Sequence, residues 1–366
     1  TLPPANTSGS SFILKYNSAG TLVAFTNFDA TAADAIRATT VDSTGNFYAA
    51  GFYTSSTTVQ INNLALNSTV QSSGYTMPLV TTQALFVLKY NSNGTLTGFM
   101  NLDGTGTVEI IYDITTDSSN NVYMTGRYNS TTTVQINNLV LNSSLFSSGY
   151  TLPNVTGGSA SMILKYNSLG SLVAFTRLDG SANSDYGTGV VVDSNGNLYA
   201  TGSIAGTTTT QINNLALNSS LVSSGYTFPV ISTSSAFLLK YNSSGVLTGF
   251  SSQGPFDLNW GVALDNSGSI YTIGRIAATT TSQINNLALN STPVNTGYIF
   301  PTPTSDACFI LKYSFSDTTT LSKSIYLQSP GNYYTINKGP SSLTVGPTSN
   351  IIRADWTLDR WNFGIE

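Results

Sequence analysis

The stretch VDSNGNLYATG, residues 192–202, decides the fold of this chain. Its centre, residues 193–197, is rich in turn residues: Asp caps such a turn, and Gly or Asn accepts the positive φ that it needs. The flanking residues favour strands, so the stretch predicts a tight β-hairpin, whose two strands we name A and B. The same turn recurs at residues 42–46, 117–121 and 265–269, each followed two residues later by a tyrosine.

A second pattern gives two further strands. In residues 12–16, FILKY, side chains alternate between two faces as in a β-strand (C), and the turn at residues 17–20 leads into strand D at residues 21–25. The string recurs with its lysine at Lys15, Lys89, Lys165, Lys240 and Lys312, at steps of 74, 76, 75 and 72 residues. A third marker, Gln-Ile-Asn-Asn-Leu, keeps the same phase and begins at Gln60, Gln135, Gln211 and Gln283. One unit of roughly 75 residues has therefore been copied.

Four strands in each unit predict an all-β fold, a β-propeller of four to five blades with a short β-rich C-terminal tail. About thirty residues between strands B and C, which contain the Gln-Ile-Asn-Asn-Leu marker, form either an outer strand pair or a polar loop. We expect repeats over residues 1–328 and a tail over 329–366. The units lie near 12–85, 86–161, 162–236 and 237–307, with a partial unit at 308–328.

Residues 192–202 and the later string FLLKYN, residues 237–242, resemble the secreted bacterial-type β-propeller repeat, the SBBP family, a relative of the NHL propellers. The resemblance covers about residues 10 to 328. It implies a propeller fold and a secreted or surface-exposed protein without a shared active site. The Asn-, Ser- and Thr-rich insertions of this chain are longer than the family pattern.

The strand count is unequal, because A–B pairs occur four times and C–D pairs five times. The extra C–D pair, residues 11–27, needs strands from elsewhere, since an open edge invites pairing. Either the tail closes the chain's own ring through residues 333–336 and 350–353, or it reaches the next subunit and produces a head-to-tail assembly. Aromatic, Arg and aliphatic residues of the tail are the candidate anchors, unless the tryptophans pack in a small local sheet. These candidates are Ile351, Ile352, Trp356, Arg360 and Trp361.

Composition argues against an enzyme. The chain has no histidine, the commonest general base and zinc ligand, so we expect no catalytic residue, metal or cofactor. Carboxylates recur at Asp29, Asp103 and Asp179, with Asp34 and Asp185 nearby, but one copy per repeat fits turn capping better than a glycosidase pair. We expect the matched lysines to place their ammonium groups in water. The single Cys308 is expected to be a small buried apolar residue.

Only 8% of residues are charged and the net charge is −4, so no basic patch exists for nucleic acid. No stretch is apolar for long enough to span a membrane. Residues 1–4 match the interior of later repeats, at residues 150–153, so we expect the numbering to start after processing or truncation. Self-association remains the expected partnership.

Nine Asn-x-Ser/Thr sequons are candidates for N-glycosylation, and four share one repeat position. The four are Asn67, Asn142, Asn218 and Asn290, and the others are Asn6, Asn93, Asn129, Asn154 and Asn242. The alternative is that one chance sequon was copied by duplication. These features predict a non-enzymatic extracellular structural protein, a subunit of a surface fibre or coat assembled head-to-tail through its termini. The alternative is a lectin-like or adhesive carbohydrate-binding propeller.

Overall fold

A computed structural model describes residues 10–67, 69–155, 157–181, 185–254, 258–277, 281–300, 302–304, 306–314, 320–328, 342–345 and 352–355. All the regular secondary-structure elements in these ranges are β-strands. In chain order the strands are β1 (Ser11–Tyr16), β2 (Leu22–Phe28), β3 (Asp34–Val41), β4 (Phe47–Ser55), β5 (Val59–Asn63), β6 (Gln71–Met77), β7 (Val80–Tyr90), β8 (Leu96–Leu102), β9 (Ile110–Thr116), β10 (Val122–Tyr128), β11 (Val134–Asn138), β12 (Phe146–Leu152), β13 (Ala160–Tyr166), β14 (Leu172–Leu178), β15 (Tyr186–Val192), β16 (Leu198–Gly206), β17 (Thr210–Asn214), β18 (Val222–Phe228), β19 (Ile231–Tyr241), β20 (Leu247–Gln253), β21 (Leu258–Leu264), β22 (Ile270–Ile276), β23 (Ser282–Asn286), β24 (Val294–Phe300), β25 (Ala307–Ser314), β26 (Thr320–Gln328), β27 (Ser342–Val345) and β28 (Ile352–Asp355).

The all-β prediction is confirmed, and each repeat forms one antiparallel sheet. The strand orders are β3-β4-β7-β8, β9-β10-β13-β14, β15-β16-β19-β20 and β21-β22-β25-β26, which is A-B-C-D in every case. The segment between strands B and C forms a separate hairpin, so the strand-pair alternative is correct. These hairpins are β5-β6, β11-β12, β17-β18 and β23-β24.

The A–B turn takes the geometry that its sequence predicts. Asp193 Oδ1 accepts hydrogen bonds from the backbone N–H groups of Asn195 and Asn197, both at 2.9 Å, and Gly196 has a φ of 79°. Asp193 Oδ2 accepts two further bonds, from Asn197 Nδ2 at 2.8 Å and from Tyr199 OH at 3.2 Å. The repeated tyrosine therefore ties strand B to the turn, which explains why it recurs at that spacing.

The Gln-Ile-Asn-Asn marker joins consecutive repeats. Gln211 Nε2 donates to two backbone carbonyls of its own hairpin, at 2.7 and 2.9 Å. Asn213 Nδ2 donates to the carbonyl of Arg177, in strand D of the preceding repeat, at 3.2 Å. Asn214 Oδ1 accepts from the N–H of Leu247, in strand D of its own repeat, at 2.9 Å. The marker is thus a polar clamp between neighbouring sheets.

The chain divides into two compact units. The first comprises residues 1–155, 164–175 and 217–219, and the second 156–163, 176–216 and 220–366. In the first, Phe28, Tyr53 and Phe86 form an aromatic cluster, with the rings of Phe28 and Phe86 stacked at 4.4 Å. In the second, Phe300 and Phe309 pack at 5.1 Å among aliphatic side chains. The repeat boundaries given above remain a prediction.

Two expectations from composition concern membrane spans and Cys308. None of the residues described forms a helix long and apolar enough to cross a membrane. Cys308 is half-buried, not fully buried as expected, and burial raises the pKa of its thiol to about 11.

Candidate assembly site at the N-terminal half-sheet

Strands β1 and β2 form a two-stranded sheet that has the sequence of strands C and D. They pair antiparallel from Ser11↔Phe28 to Tyr16↔Leu22. Their turn is held by Asn17, whose Oδ1 accepts from the N–H of Thr21 at 2.9 Å. Within the described residues β1 pairs with β2 alone, so the predicted C–D pair without an A–B partner is present and its β1 edge is unpaired. We call strands β1 and β2 the half-sheet.

The half-sheet is fixed to the first unit on its other sides. Phe25 of β2 exchanges two backbone hydrogen bonds with Ala65, which follows β5, at 3.1 and 3.3 Å. The N–H of Ser11 donates to Asp34 Oδ1 at 2.9 Å, and Ser11 Oγ accepts from the N–H of Ile36 at 3.0 Å. The half-sheet is therefore a docked part of the fold and not a loose terminus.

One face of β1 is exposed where the same residues are buried in a complete repeat. Phe12, Leu14 and Tyr16 are 56, 38 and 55% exposed. Their counterparts on β7, which are Phe86, Leu88 and Tyr90, are 0, 1 and 1% exposed. Three large apolar side chains in a row on one strand form a patch that a monomeric protein seldom leaves open.

The lysine at the same repeat position shows a second difference. Four of the five ammonium groups lie over the ring of the strand-B tyrosine: Lys89 over Tyr48 at 5.6 Å, Lys165 over Tyr123 at 4.9 Å, Lys240 over Tyr199 at 5.8 Å and Lys312 over Tyr271 at 4.9 Å. Such cation–π contacts stabilise strand B beside strand C. Lys15 has no such ring in the described part of the chain, and its Nζ donates to the Ser92 carbonyl at 2.9 Å.

The expectation that these lysines place their ammonium groups in water is wrong for Lys89. That side chain is buried, and its Nζ donates to the Ser168 carbonyl at 2.7 Å. Burial lowers the pKa of Lys89, and the Asp42 carboxylate offsets this in part. Sequence alone did not indicate the tyrosine contact, although the equal spacing of Lys and Tyr in every repeat was a usable signal.

The aspartates of the A–B turns act as acceptors. Burial alone would raise the pKa of Asp42, but the side-chain donors Asn46 and Thr44 and the backbone N–H groups of the turn lower it below its usual value. In the fourth repeat the corresponding donors hold the pKa of Asp265 at about 2. Turn capping, which we predicted for acidic residues of the repeat, is what these carboxylates do.

A second set of carboxylates lies at the joints between sheets. Asp34 Oδ2 accepts from the N–H of Ala30 at 3.0 Å, and Asp185 Oδ1 accepts from the N–H of Ala205 at 2.9 Å, so both cap loops as predicted. Glu109 occupies the matching position of the second repeat and is fully buried; its carboxylate oxygens lack a hydrogen bond of ordinary geometry among the described residues, although the Asn129 N–H is near enough to lower its pKa. Burial, with the nearby Asp103 charge, raises the pKa of Glu109 to about 8, an increase that the Asn129 N–H offsets only slightly.

Within the residues that the structure describes, no three His, Cys, Asp or Glu side chains lie close enough together to hold a metal ion. The predicted absence of catalysis remains untested by this geometry.

The sequons of the repeated position lie in the loops of the outer hairpins. Asn67, Asn218 and Asn290 are exposed and Asn142 is half-buried. Of the remaining sequons, Asn93 and Asn154 are exposed, Asn129 and Asn242 are half-buried, and Asn6 lies outside the described residues. Asn242 also caps the turn between β19 and β20, where its Oδ1 accepts from the N–H of Val246 at 3.0 Å.

The predicted anchors of the tail fall mostly outside the described residues. This applies to Ile351, Trp356, Arg360 and Trp361, and to residues 333–336. Ile352 begins β28 and lies opposite Val345 of β27. The one anchor that the structure describes therefore pairs within the tail, and the role of all five stays a prediction.

Residues 175–208 match the family model SBBP, described as a beta-propeller repeat. The match begins in β14 and includes β15, β16 and the turn between them, residues 193–197. The chain contains a β-propeller repeat. The resemblance to this family is thereby confirmed, while secretion remains a prediction. No curated protein matches the chain.

Proposed function

We propose that this β-propeller repeat protein is a non-enzymatic structural protein of the cell exterior, which assembles head-to-tail into a fibre or coat. Its four complete sheets are the blades of a propeller, and the half-sheet is an incomplete blade that the C-terminal tail of a neighbouring copy completes. The observation that supports this most directly is the exposure of Phe12, Leu14 and Tyr16 at positions that are buried in β7.

Two physical arguments favour assembly. An unpaired strand presents backbone donors and acceptors to any strand of suitable length. Burying side chains of this size favours association by roughly 1.5–3 kcal/mol each, before the entropy cost of association is subtracted. A contact between unlike ends of identical copies repeats without closing, unless the rotation between copies happens to form a ring.

Substitution of the exposed patch tests the proposal. We expect the wild-type chain to form oligomers whose mass rises with concentration in light scattering, and linear assemblies in electron microscopy. The double variant Phe12→Ser, Tyr16→Ser should remain monomeric. Leu169→Ser is the matched control, because Leu169 is 79% exposed in the turn between β13 and β14 and is not part of the half-sheet. A wild-type chain that is monomeric at high concentration would overturn the proposal, as would a control that dissociates equally.

The exterior location is supported by the exposed sequons of the outer hairpins, because glycans would solubilise a chain with few charges. Expression in a host that performs N-glycosylation should give a mass that falls on treatment with an N-glycosidase. Replacing Asn67, Asn218 and Asn290 by Gln should remove most of that mass difference. An unchanged mass in the wild-type protein would contradict the glycan part of the proposal.

A further inference from the structure

We propose that the half-sheet accepts a whole A–B hairpin from a neighbouring copy, in which strand B pairs with β1 and strand A lies over β3. This inference rests on the proposed head-to-tail assembly, and it states which kind of segment the assembly site selects. The inserted segment has two antiparallel strands, an aromatic residue opposite Lys15 and a glycine opposite Phe12. Two surfaces of the first unit carry the argument: the edge of β1 and one face of β3, strands that the hydrogen bond from the Ser11 N–H to Asp34 Oδ1 joins.

The complete sheets show what strand C pairs with. In the third repeat, Tyr199 of strand B lies opposite Lys240 of strand C, and the glycine three residues later lies opposite Phe237. The first and fourth repeats have the same register. On β1 the two matching positions are those of Lys15 and Phe12. A strand B that pairs with β1 in this register therefore places its aromatic ring beside the Lys15 ammonium, which repeats the cation–π contact of the complete sheets.

One face of β3 is more exposed than the same face of the other three A strands. Thr39 is exposed, and Val41 is 57% exposed. The residues that match Thr39 in the other repeats are 3, 1 and 4% exposed, and they are Ile114, Val190 and Val262. Phe47, opposite Val41 on β4, shows the same difference, since it is half-buried and its three counterparts are buried. The open surface thus extends beyond the half-sheet onto the first complete sheet.

This face of β3 points towards the half-sheet. Thr39 lies opposite Ala49, and Ala49 lies opposite Leu88, so the three side chains are on one side of the sheet. Ala49 and Leu88 belong to the same apolar cluster as Ile13 of β1 and Phe28 of β2. A hairpin added to the edge of β1 would therefore continue the half-sheet in front of Thr39.

The second repeat shows how one A–B hairpin packs on the hairpin before it. Strand β9 lies against β3, and Thr116 Oγ1 donates to the Val41 carbonyl at 3.3 Å. In the turns, the N–H and Oγ of Ser43 both donate to Asn120 Oδ1, at 3.0 and 2.7 Å. The hairpin of the first repeat, β3-β4, has no A–B hairpin before it in the part of the chain that the structure describes. A hairpin from another copy would give β3 the contact that β3 itself gives β9.

The glycine requirement distinguishes a hairpin from a single strand. In the complete sheets a Cβ on this glycine would collide with a backbone carbonyl of strand A: for Gly51 with that of Ala35, and for Gly202 with that of Tyr186. On β1 a single strand would meet mainly the Phe12 ring at this position, and that ring is more than half exposed, so it can turn away. A hairpin therefore requires glycine there, whereas a single strand tolerates a larger residue.

Fluorescently labelled peptides test this selectivity on the full chain. The hairpin peptide has the sequence of residues 186–204, and the strand peptide has that of residues 195–204. In fluorescence anisotropy we expect the hairpin peptide to bind the wild-type chain about tenfold more tightly than the strand peptide, because it also buries the open face of β3. Tyr199→Leu in the hairpin peptide should weaken binding several-fold, because the ring beside Lys15 is lost. Gly202→Val should weaken the hairpin peptide about tenfold and the strand peptide much less.

A change on β3 tests the second surface. Val41→Lys should weaken binding of the hairpin peptide about tenfold and leave the strand peptide unchanged, because only strand A lies over β3. Thr39→Lys is a second variant on the same face, and both residues are exposed, so neither change enters the core. Val246→Lys is the matched control, since Val246 is an exposed valine in the turn between β19 and β20.

The outcomes separate this inference from the proposed function. We expect excess hairpin peptide to dissociate the assemblies that light scattering detects. Equal affinities for the two peptides, or unchanged binding by both Val41→Lys and Thr39→Lys, would overturn the hairpin and leave head-to-tail assembly standing. Chains that assemble and bind neither peptide would overturn the selectivity in the same way. A hairpin peptide that binds without dissociating the assemblies would keep the acceptor site and overturn assembly through the half-sheet. Chains that neither assemble nor bind would overturn both.

Discussion

The complete sheet β3-β4-β7-β8 and the half-sheet contain the same C and D strands, and they differ in what surrounds them. Phe86 of the complete sheet packs against Tyr53 of its own sheet and against Phe28 of the half-sheet, whereas its counterpart Phe12 is more than half exposed. Similar sequence thus has a packing role in one place and, in our proposal, a binding role in the other. The same repeat position is therefore part of the core where other strands cover it, and is available for binding where they do not.

The largest expected effect is a difference in the free energy of unfolding between variants of Phe86 and of its counterpart Phe12. Phe86→Ala should lower the free energy of unfolding by about 3–5 kcal/mol, because it leaves a cavity in the aromatic cluster. Phe12→Ala should lower it by less than about 1 kcal/mol, since most of that ring is already in water. Urea unfolding of the two variants, measured on monomeric protein, makes the comparison. Equal losses would mean that the half-sheet is buried in solution as deeply as the complete sheet.

The acids between neighbouring sheets give the next effect. Asp34 accepts hydrogen bonds of ordinary geometry from Ser11 and Ala30, whereas the matching Glu109 lacks such bonds among the described residues. The pKa of Glu109 in the folded chain, about 8, exceeds the ordinary glutamate value of 4.5. Between these values the folded state binds the proton more than the unfolded state does, so stability falls as pH rises through the window. The loss should be on the order of a few kcal/mol between pH 4.5 and 8.

Glu109→Gln should remove this slope, because the amide is neutral at every pH. Unfolding midpoints measured from pH 5 to pH 8 provide the readout. Glu366→Gln, the same change at the chain's other glutamate, is the control and should keep the slope. A Glu109→Gln variant with an unaltered slope would show that the group titrates normally in the folded chain.

The next prediction concerns the asparagines of the outer hairpins, which bind either a complete sheet or the half-sheet. Asn137 Nδ2 donates to the Asn101 carbonyl at 2.9 Å between two complete sheets, and Asn62 Nδ2 donates to Asn27 Oδ1 at 3.1 Å on the half-sheet. Replacing either by Ala should lower stability by about 1–3 kcal/mol, with the larger loss at Asn137 because the Asn101 carbonyl would be left buried without its donor. Hydrogen exchange should show faster exchange in β2 for Asn62→Ala and not for Asn137→Ala. Uniform exchange in β2 for both variants would contradict a local clamp.

The sequence was sufficient for the all-β class and the four-stranded repeat because strands A to D each have a local signal, whereas it left the outer hairpins open between a strand pair and a loop and did not fix the number of blades. Local signals specify both hairpins of a repeat: an Asp-capped turn for A–B, and the alternation of FILKY with an Asn-capped turn for C–D. The unequal number of A–B and C–D pairs predicted the half-sheet. Exposure could not be predicted, because Phe12 and Phe86 occur in nearly the same string and differ only in what lies beside them. The clamp role of Asn213 and the ring over Lys89 depend on contacts between distant segments, which periodicity alone does not assign.

The smallest effect concerns Lys89 and Lys15, which differ in having or lacking a tyrosine ring. Lys89→Met removes the contact with Tyr48 at 5.6 Å and the bond to the Ser168 carbonyl, and should lower monomer stability by about 1–2 kcal/mol. Lys15→Met removes one exposed hydrogen bond and should change monomer stability by less than about 0.5 kcal/mol. If an aromatic side chain of another copy covers Lys15 in the proposed assembly, the same variant should raise the dissociation constant of assembly by several-fold. Light scattering as a function of concentration measures this constant, and Lys323→Met is the control for the loss of one positive charge. Assembly that responds equally to the two Met variants would mean that charge, and not the ring contact, is recognised at the half-sheet.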